Sequence, residues 1–299
     1  MNKSDIKKVA YFNLAHYGDL HYSREFVKFF SSKLDVPSSY THYKCHSVLQ
    51  DIPNMRHYSS LPINIKNPNN IGLLLVDDCL LFGTWIGQEG SKWIQEDGCT
   101  LKNNYKIYKQ HAKTLDIDFP TEESFIPTIN YEKYRIDTIP KIDKDRNILI
   151  CNGDVLSGQS RNFDMDMIVV ALATKHPLCR FYVTKPITVS LPNILDVNVM
   201  IDSNGPSNLN EISYISLFCD IIVGRGSGPF CFTHVKENLL NKNKTYIVVC
   251  NTEREGHWVS MKDYTQDGAK QVWLPCGHGA EQATFDTVDG EINAKFGNR

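Results

Sequence analysis

The sequence predicts an α/β protein of two parallel-sheet units, residues 1–140 and 141–299, facing each other across a cleft. Three observations lead there. In the second half, short apolar runs alternate with helical stretches of about 10–13 residues, the rhythm of strand–helix–strand units. Two of those runs end in polar, Gly-containing turns. Between the halves, residues 120–146 carry Pro120, Pro127, Pro140 and several charges, as a linker does.

Lys8–Asn13 reads as an opening strand, followed by the polar turn Ala15-His16-Tyr17-Gly18-Asp19. A helix is expected over 20–32, where Tyr22, Phe26, Phe29 and Phe30 recur at spacings of three and four. Aromatic and β-branched content makes Tyr40–Cys45 a second strand, while Pro and Asn mark 51–70 as irregular. Ile71–Val76 and Cys79–Phe82 resemble buried strands around Asp77-Asp78, and the middle helices of this unit are weakly patterned. Trp85, Trp93 and Trp258 suit the core or a sugar-stacking surface, the core being the better reading.

The second unit is more regular. Strands are expected at Ile148–Cys151, Phe181–Thr184, Ile194–Val197 and Ile221–Val223, with Thr245–Cys250 as the final one. Helices are expected at 165–174, 208–218 and 229–240. Both units are therefore Rossmann-like in outline, and the C-terminal tail is a candidate to return to the first.

A formal charge of −2 from 32 basic and 34 acidic residues gives no general attraction to nucleic acid. The Lys-rich stretches near 102–113 and 141–146 lack the aromatics of a strand-reading surface. Nine cysteines without a CxxC spacing favour reduced core thiols over disulfides or a zinc site. The start of the chain lacks the apolar run of a signal peptide, and no window approaches a membrane span. A cytoplasmic protein is expected, with peripheral membrane contact left open.

The most informative stretch is Asp220-Ile221-Ile222-Val223-Gly224-Arg225-Gly226-Ser227-Gly228-Pro229. A buried-strand pattern runs into glycines that permit tight backbone geometry, with Ser227 as a hydroxyl donor and Arg225 as a fixed cation. A helix starting near Pro229 would turn its free amides to the same space. The related turn Asn152-Gly153-Asp154-Val155-Leu156-Ser157-Gly158-Gln159-Ser160 follows another strand. Two such turns about 70 residues apart point to one crevice. Arg225, Gly226, Ser227, Gly228, Ser157, Gly158, Gln159 and Ser160, with Arg161 beside them, are the candidate phosphate-binding residues. Neither turn matches a dinucleotide fingerprint, an ATPase phosphate loop or a hydrolase elbow.

Together with Asn13-Leu14-Ala15-His16-Tyr17-Gly18-Asp19-Leu20-His21 after the first strand, these turns resemble two-domain GT-B glycosyltransferases, most of all the heptosyltransferase type. The resemblance implies an acceptor-facing first domain and a second domain that holds a nucleotide sugar. It places the early Gly-Asp turn near the reaction centre and the late Ser-Gly-Pro turn near the donor diphosphate. Two departures stand out. Heptosyltransferases commonly carry an acid directly before the late turn and a His soon after it; here Arg225-Gly226 precedes Ser227, and the next histidine is His234.

The implied reaction is transfer of a sugar from a nucleoside diphosphate donor to a glycan, lipid or small-molecule acceptor, as in polysaccharide biosynthesis. It requires a base for the acceptor hydroxyl and stabilisation of the departing diphosphate. Asp19 is the first choice of base, with His16 and His21 as competitors; the alternative role for Asp19 is to cap the following helix. No cofactor is expected beyond the donor substrate. Asp77-Asp78 lacks a third ligand, and His234, His257 and His278 have no ligand spacing. The resemblance implies that helix ends and basic residues stand in for a metal at the diphosphate, so the reaction is expected to be metal-independent. A single base fits inversion. A nucleotide-sugar epimerase or hydrolase and a non-catalytic nucleotide- or sugar-binding protein are the alternatives.

Overall fold

The computed structural model describes residues 1–59, 72–85, 100–143, 145–156, 160–201, 207–251 and 268–297. They form two compact units, Met1–Ile129 and Asn130–Arg299.

In the first unit, β1 (Lys8–Phe12), β2 (Ser38–Thr41), β3 (Met55–Tyr58), β4 (Leu73–Val76) and β5 (Cys79–Gly83) lie in the order β3-β2-β1-β5-β4. All neighbours pair parallel except β4 and β5. Only Asp77 and Asp78 separate those two, far too few residues for a parallel crossover, and Asp77 turns the chain at a left-handed φ of 54°. The sheet is thus parallel with one antiparallel edge. Where composition predicts irregular chain, β3 is an edge strand whose side chains alternate between half-buried and exposed.

The first helix, α1 (Tyr17–Leu34), begins three residues before the apolar pattern does. Its start is set by polar chemistry: the His16 N–H donates to Asp19 Oδ2 at 3.0 Å, closing the first turn. At its other end Asp35 adopts a left-handed φ of 50°. The expected aromatic stripe faces inward. Phe26 stacks on Tyr108 of α2 (Thr100–Thr114) at 4.2 Å, and Phe30 meets Phe82 of β5 at 4.7 Å.

In the second unit β6 (Asn147–Cys151), α3 (Asp166–Lys175), β7 (Arg180–Val183) and β8 (Ile194–Asp196) come first. Then follow α4 (Val197–Met200), α5 (Leu209–Ser216), β9 (Ile221–Arg225), α6 (Gly228–Phe232) and α7 (Lys236–Leu239). The unit closes with β10 (Thr245–Cys250), β11 (Lys270–Pro275) and α8 (Ala280–Phe296). Its six strands are all parallel, in the order β11-β10-β9-β6-β7-β8. Ile148, Ile150, Phe181, Val183, Ile221, Val223 and Ile247 of the strands pack with Val169 and Leu172 of α3 and Val288 and Ile292 of α8. Each such side chain contributes about 1.5–3 kcal/mol by leaving water.

Two expectations are corrected here. Thr245–Cys250 is not the last strand, because β11 pairs beside it and α8 covers the sheet. The helix predicted over 229–240 is two short ones. Between them the Thr233 carbonyl accepts from Tyr246 Oη at 2.7 Å and Asn238 Nδ2 at 2.9 Å, so it does not continue a helix.

Seven of the eight described cysteines are buried, and all eight are free thiols. Trp85 is half-buried, while Trp93 and Trp258 lie outside the described residues. Among the described residues no helix is long and apolar enough to cross a membrane.

Candidate functional site

Numbered within the second unit, the strand order is 3-2-1-4-5-6, and it reverses between β6 and β9. These two strands are direct neighbours, with Cys151 opposite Gly224. The two Gly-containing turns therefore leave the sheet side by side at its carboxyl edge, where ligands of open parallel sheets bind. Gly224 is required by packing: a Cβ there would stand 2.5 Å from Phe230 Cδ2 and 3.0 Å from Cys151 Cβ.

Arg225 joins the two turns, in a way the sequence does not foretell. Its side chain is fully buried. Nη2 donates to the carbonyls of Asn152 at 3.2 Å and Gly153 at 2.8 Å, and Nη1 to that of Phe163 at 3.2 Å. The guanidinium lies 5.2 Å from the Phe163 ring centre and 3.6 Å from the half-exposed Asp154 carboxylate. Burial lowers its pKa, opposed by the charge of Asp154. Where the sequence offers this cation to a diphosphate, the structure turns it onto the main chain, whose strand-end carbonyls need donors.

Ser160 is likewise engaged, its Oγ donating to the Val249 carbonyl at the end of β10 at 3.1 Å. Ser227 differs. It precedes α6 in an extended conformation, and its buried hydroxyl has no hydrogen-bond partner among the described residues. Gly226 and Gly228 flank it, and Pro229 occupies the first turn of α6. Ser157, Gly158 and Gln159 lie outside the described residues.

Asn152 is the residue that sequence reasoning passed over. Its Nδ2 donates to Asp166 at the head of α3 and to the Lys185 carbonyl beyond β7, and its Oδ1 accepts from the Lys185 N–H at 2.9 Å. Its place directly after a strand and before Gly153 was the available signal.

In the first unit, Asp19 sits in the opening turn of α1, half-buried, with its carboxylate held by the His16 N–H. Burial raises its pKa, and the His16 hydrogen bond and the Lys44 charge oppose the rise. The cap expected of Asp19 is placed differently: the helix begins at Tyr17, so His16 is the capping residue and Asp19 closes the first turn from the third helical position. Lys44 stands over the Tyr17 ring at 5.3 Å, on the same turn. His16 is exposed, whereas His21 is fully buried on α1, tilted against Tyr22 at 5.6 Å. Burial of that kind is what a core imidazole shows, not one that meets a soluble acceptor.

Asp77 and Asp78 are hairpin residues, the latter paired with Lys8 at 3.2 Å. Among the described residues no group of three His, Cys, Asp or Glu side chains is arranged to hold a metal ion. His42, His46 and His57 cluster with ring centres 5.2–5.6 Å apart. Burial, and the neighbouring imidazoles, lower the pKa of His42 and of His57 to about 4.

In fold, the chain is similar to a glycosyl transferase family 9 structure from Veillonella parvula DSM 2008, with a TM-score of 0.50 at 10% identity over 98% of this chain and 92% of that one. It is also similar to the E. coli heptosyltransferase WaaC with ADP, with a TM-score of 0.51 at 8% identity over 96% and 99% of the two chains. No protein-family model matches the sequence, and neither does any curated protein. At these identities the likeness is one of fold: two α/β units, each with a predominantly parallel sheet, of the GT-B-like kind that the motifs resemble.

Proposed function

We propose that the protein is a glycosyltransferase that moves a sugar from a nucleoside diphosphate donor to a glycan, lipid or small-molecule acceptor. The observation that carries this reading is the convergence of the two Gly-containing turns at the strand-order reversal of the second unit. The fold shared with glycosyltransferases supports it. In this reading the second unit, 141–299 in the sequence-based division, holds the donor. The amides of Gly226, Ser227 and Gly228 and the unpartnered Ser227 hydroxyl meet the diphosphate, with Ser157, Gly158, Gln159 and Arg161 completing the pocket. The first unit supplies the base.

Asp19 fits that role better than His21, because its carboxylate is held in one orientation by His16 and its pKa is raised toward the working range of a base. The acceptor hydroxyl gives its proton to Asp19 as its oxygen attacks the anomeric carbon, and the bond to the diphosphate breaks on the opposite face. The outcome is inversion, with no cofactor and no metal assigned a step. A cytoplasmic site of action fits a nucleotide-sugar donor.

A thermal-shift screen of ADP-, GDP-, UDP-, CMP- and dTDP-sugars tests the reading. One donor class should raise Tm by linkage, and donor consumption should require an acceptor. Turnover without acceptor would make the protein an epimerase or hydrolase, and binding without any turnover would make it a non-catalytic module.

A further inference from the structure

We propose that Arg225 is a positioning residue: it holds the two described arms of the connection between β6 and α3, residues 152–156 and 160–163, beside the donor and touches neither phosphate nor sugar, an inference that rests on the glycosyl-transfer reading above. One guanidinium grips the loop at both ends, through the Asn152 and Gly153 carbonyls where it leaves β6 and through the Phe163 carbonyl where it returns toward α3. The planar fork makes this possible, because donors on separate nitrogens reach two chain segments at once. An ammonium has its donors on one atom and lacks the spread of the fork, so it matches this set of carbonyls less well.

The same loop is fastened independently at three further points. The Val155 N–H donates to Asn162 Oδ1 at 2.8 Å, and Asn162 Nδ2 returns a bond to the Val155 carbonyl at 3.1 Å. Ser160 Oγ reaches the Val249 carbonyl. The Arg161 N–H meets Cys276 Sγ at 3.1 Å, just beyond β11. Ser160 and Arg161 are thereby tied to the ends of β10 and β11, and Arg225, at the end of β9, is the buried anchor of both arms. Here the residue before Gly226 serves the architecture of the site and leaves ligand contact to others.

The test uses Arg225→Lys, Arg225→Ala, Asn162→Ala and the Arg225→Ala/Asn162→Ala double variant. Amide hydrogen exchange over 152–163 is measured alongside kcat and KM with the donor class found in the nucleotide-sugar screen. Both alanine variants are expected to speed exchange in the loop and to lower kcat/KM on the order of 10²-fold, the effect of a displaced binding element. The double variant should fall no further than the worse single one, because both changes loosen the same loop. Arg225→Lys should loosen the loop as alanine does. Normal loop exchange in Arg225→Ala or losses that multiply in the double variant would overturn the proposal, and donor affinity restored by lysine would overturn it by putting the charge on the phosphate. If the wild-type protein binds no nucleotide sugar, the transfer reading fails, and the exchange data alone then decide whether Arg225 anchors the loop.

Discussion

Asp19 has two roles to separate, helix start and base, and one substitution does so. Asparagine keeps a side-chain carbonyl that can accept from the His16 N–H, so Asp19→Asn should change stability by less than about 1 kcal/mol. Removing the base should lower kcat by about 10²–10⁴-fold with donor affinity retained. Because burial raises the Asp19 pKa, the acid limb of the wild-type rate profile should lie above the ordinary carboxylate range, with activity falling as pH falls through it. That limb should vanish in Asp19→Asn. Transfer at the normal rate in this variant would move the search to His16. A second residue-scale case is Gly224, where alanine would press on the Phe230 ring and the Cys151 side chain. Gly224→Ala should cost about 1–3 kcal/mol by urea denaturation, the range for an overfilled core.

Among the elements, α1 is tied to the turn beyond β2 by an ion pair with no exposure at either end. Arg24 Nη1 meets Asp51 Oδ1 at 2.6 Å, and both side chains are fully buried. Arg24 Nη2 also donates to the Val48 carbonyl at 2.8 Å, and Lys28 adds a second cation 3.5 Å from Asp51. Asp51→Ala strands a buried guanidinium, and the loss should be about 3–5 kcal/mol; a change below 1 kcal/mol in equilibrium unfolding would contradict that picture. Elements were legible where one physical demand dominated. Ile148–Cys151, Ile221–Val223 and Thr245–Cys250 read as strands because burial on both faces requires unbroken apolar runs. By contrast β3, with Arg56, and β11, with Lys270 and Gln271, hide their strand character behind side chains that meet solvent. The turns after β6 and β9 could be found from Gly and polar content. The partners of Arg225 could not, since its acceptors lie 62–73 positions away and only the folded sheet brings them together.

The whole molecule should respond to acid through its buried imidazoles. Burial lowers the pKa of His42, His57 and His111 to about 4 and that of His234 to about 3. An unfolded chain takes up these protons near pH 6.5, whereas the folded one resists them. The stabilisation is therefore complete above about pH 6.5 and is lost as pH falls through about 4. Calorimetric Tm should decline across that interval, and His42→Gln should flatten the decline; an unaltered slope would remove His42 from the account. The enclosed thiols have another consequence. Cys79 lies on β5 of one unit and Cys151 on β6 of the other, both buried, with burial pushing each thiol toward its protonated form. Pulsed alkylation followed by mass spectrometry would then read the opening rate of each unit from its own sulfur, without an introduced cysteine, and show whether the two unfold together or in turn.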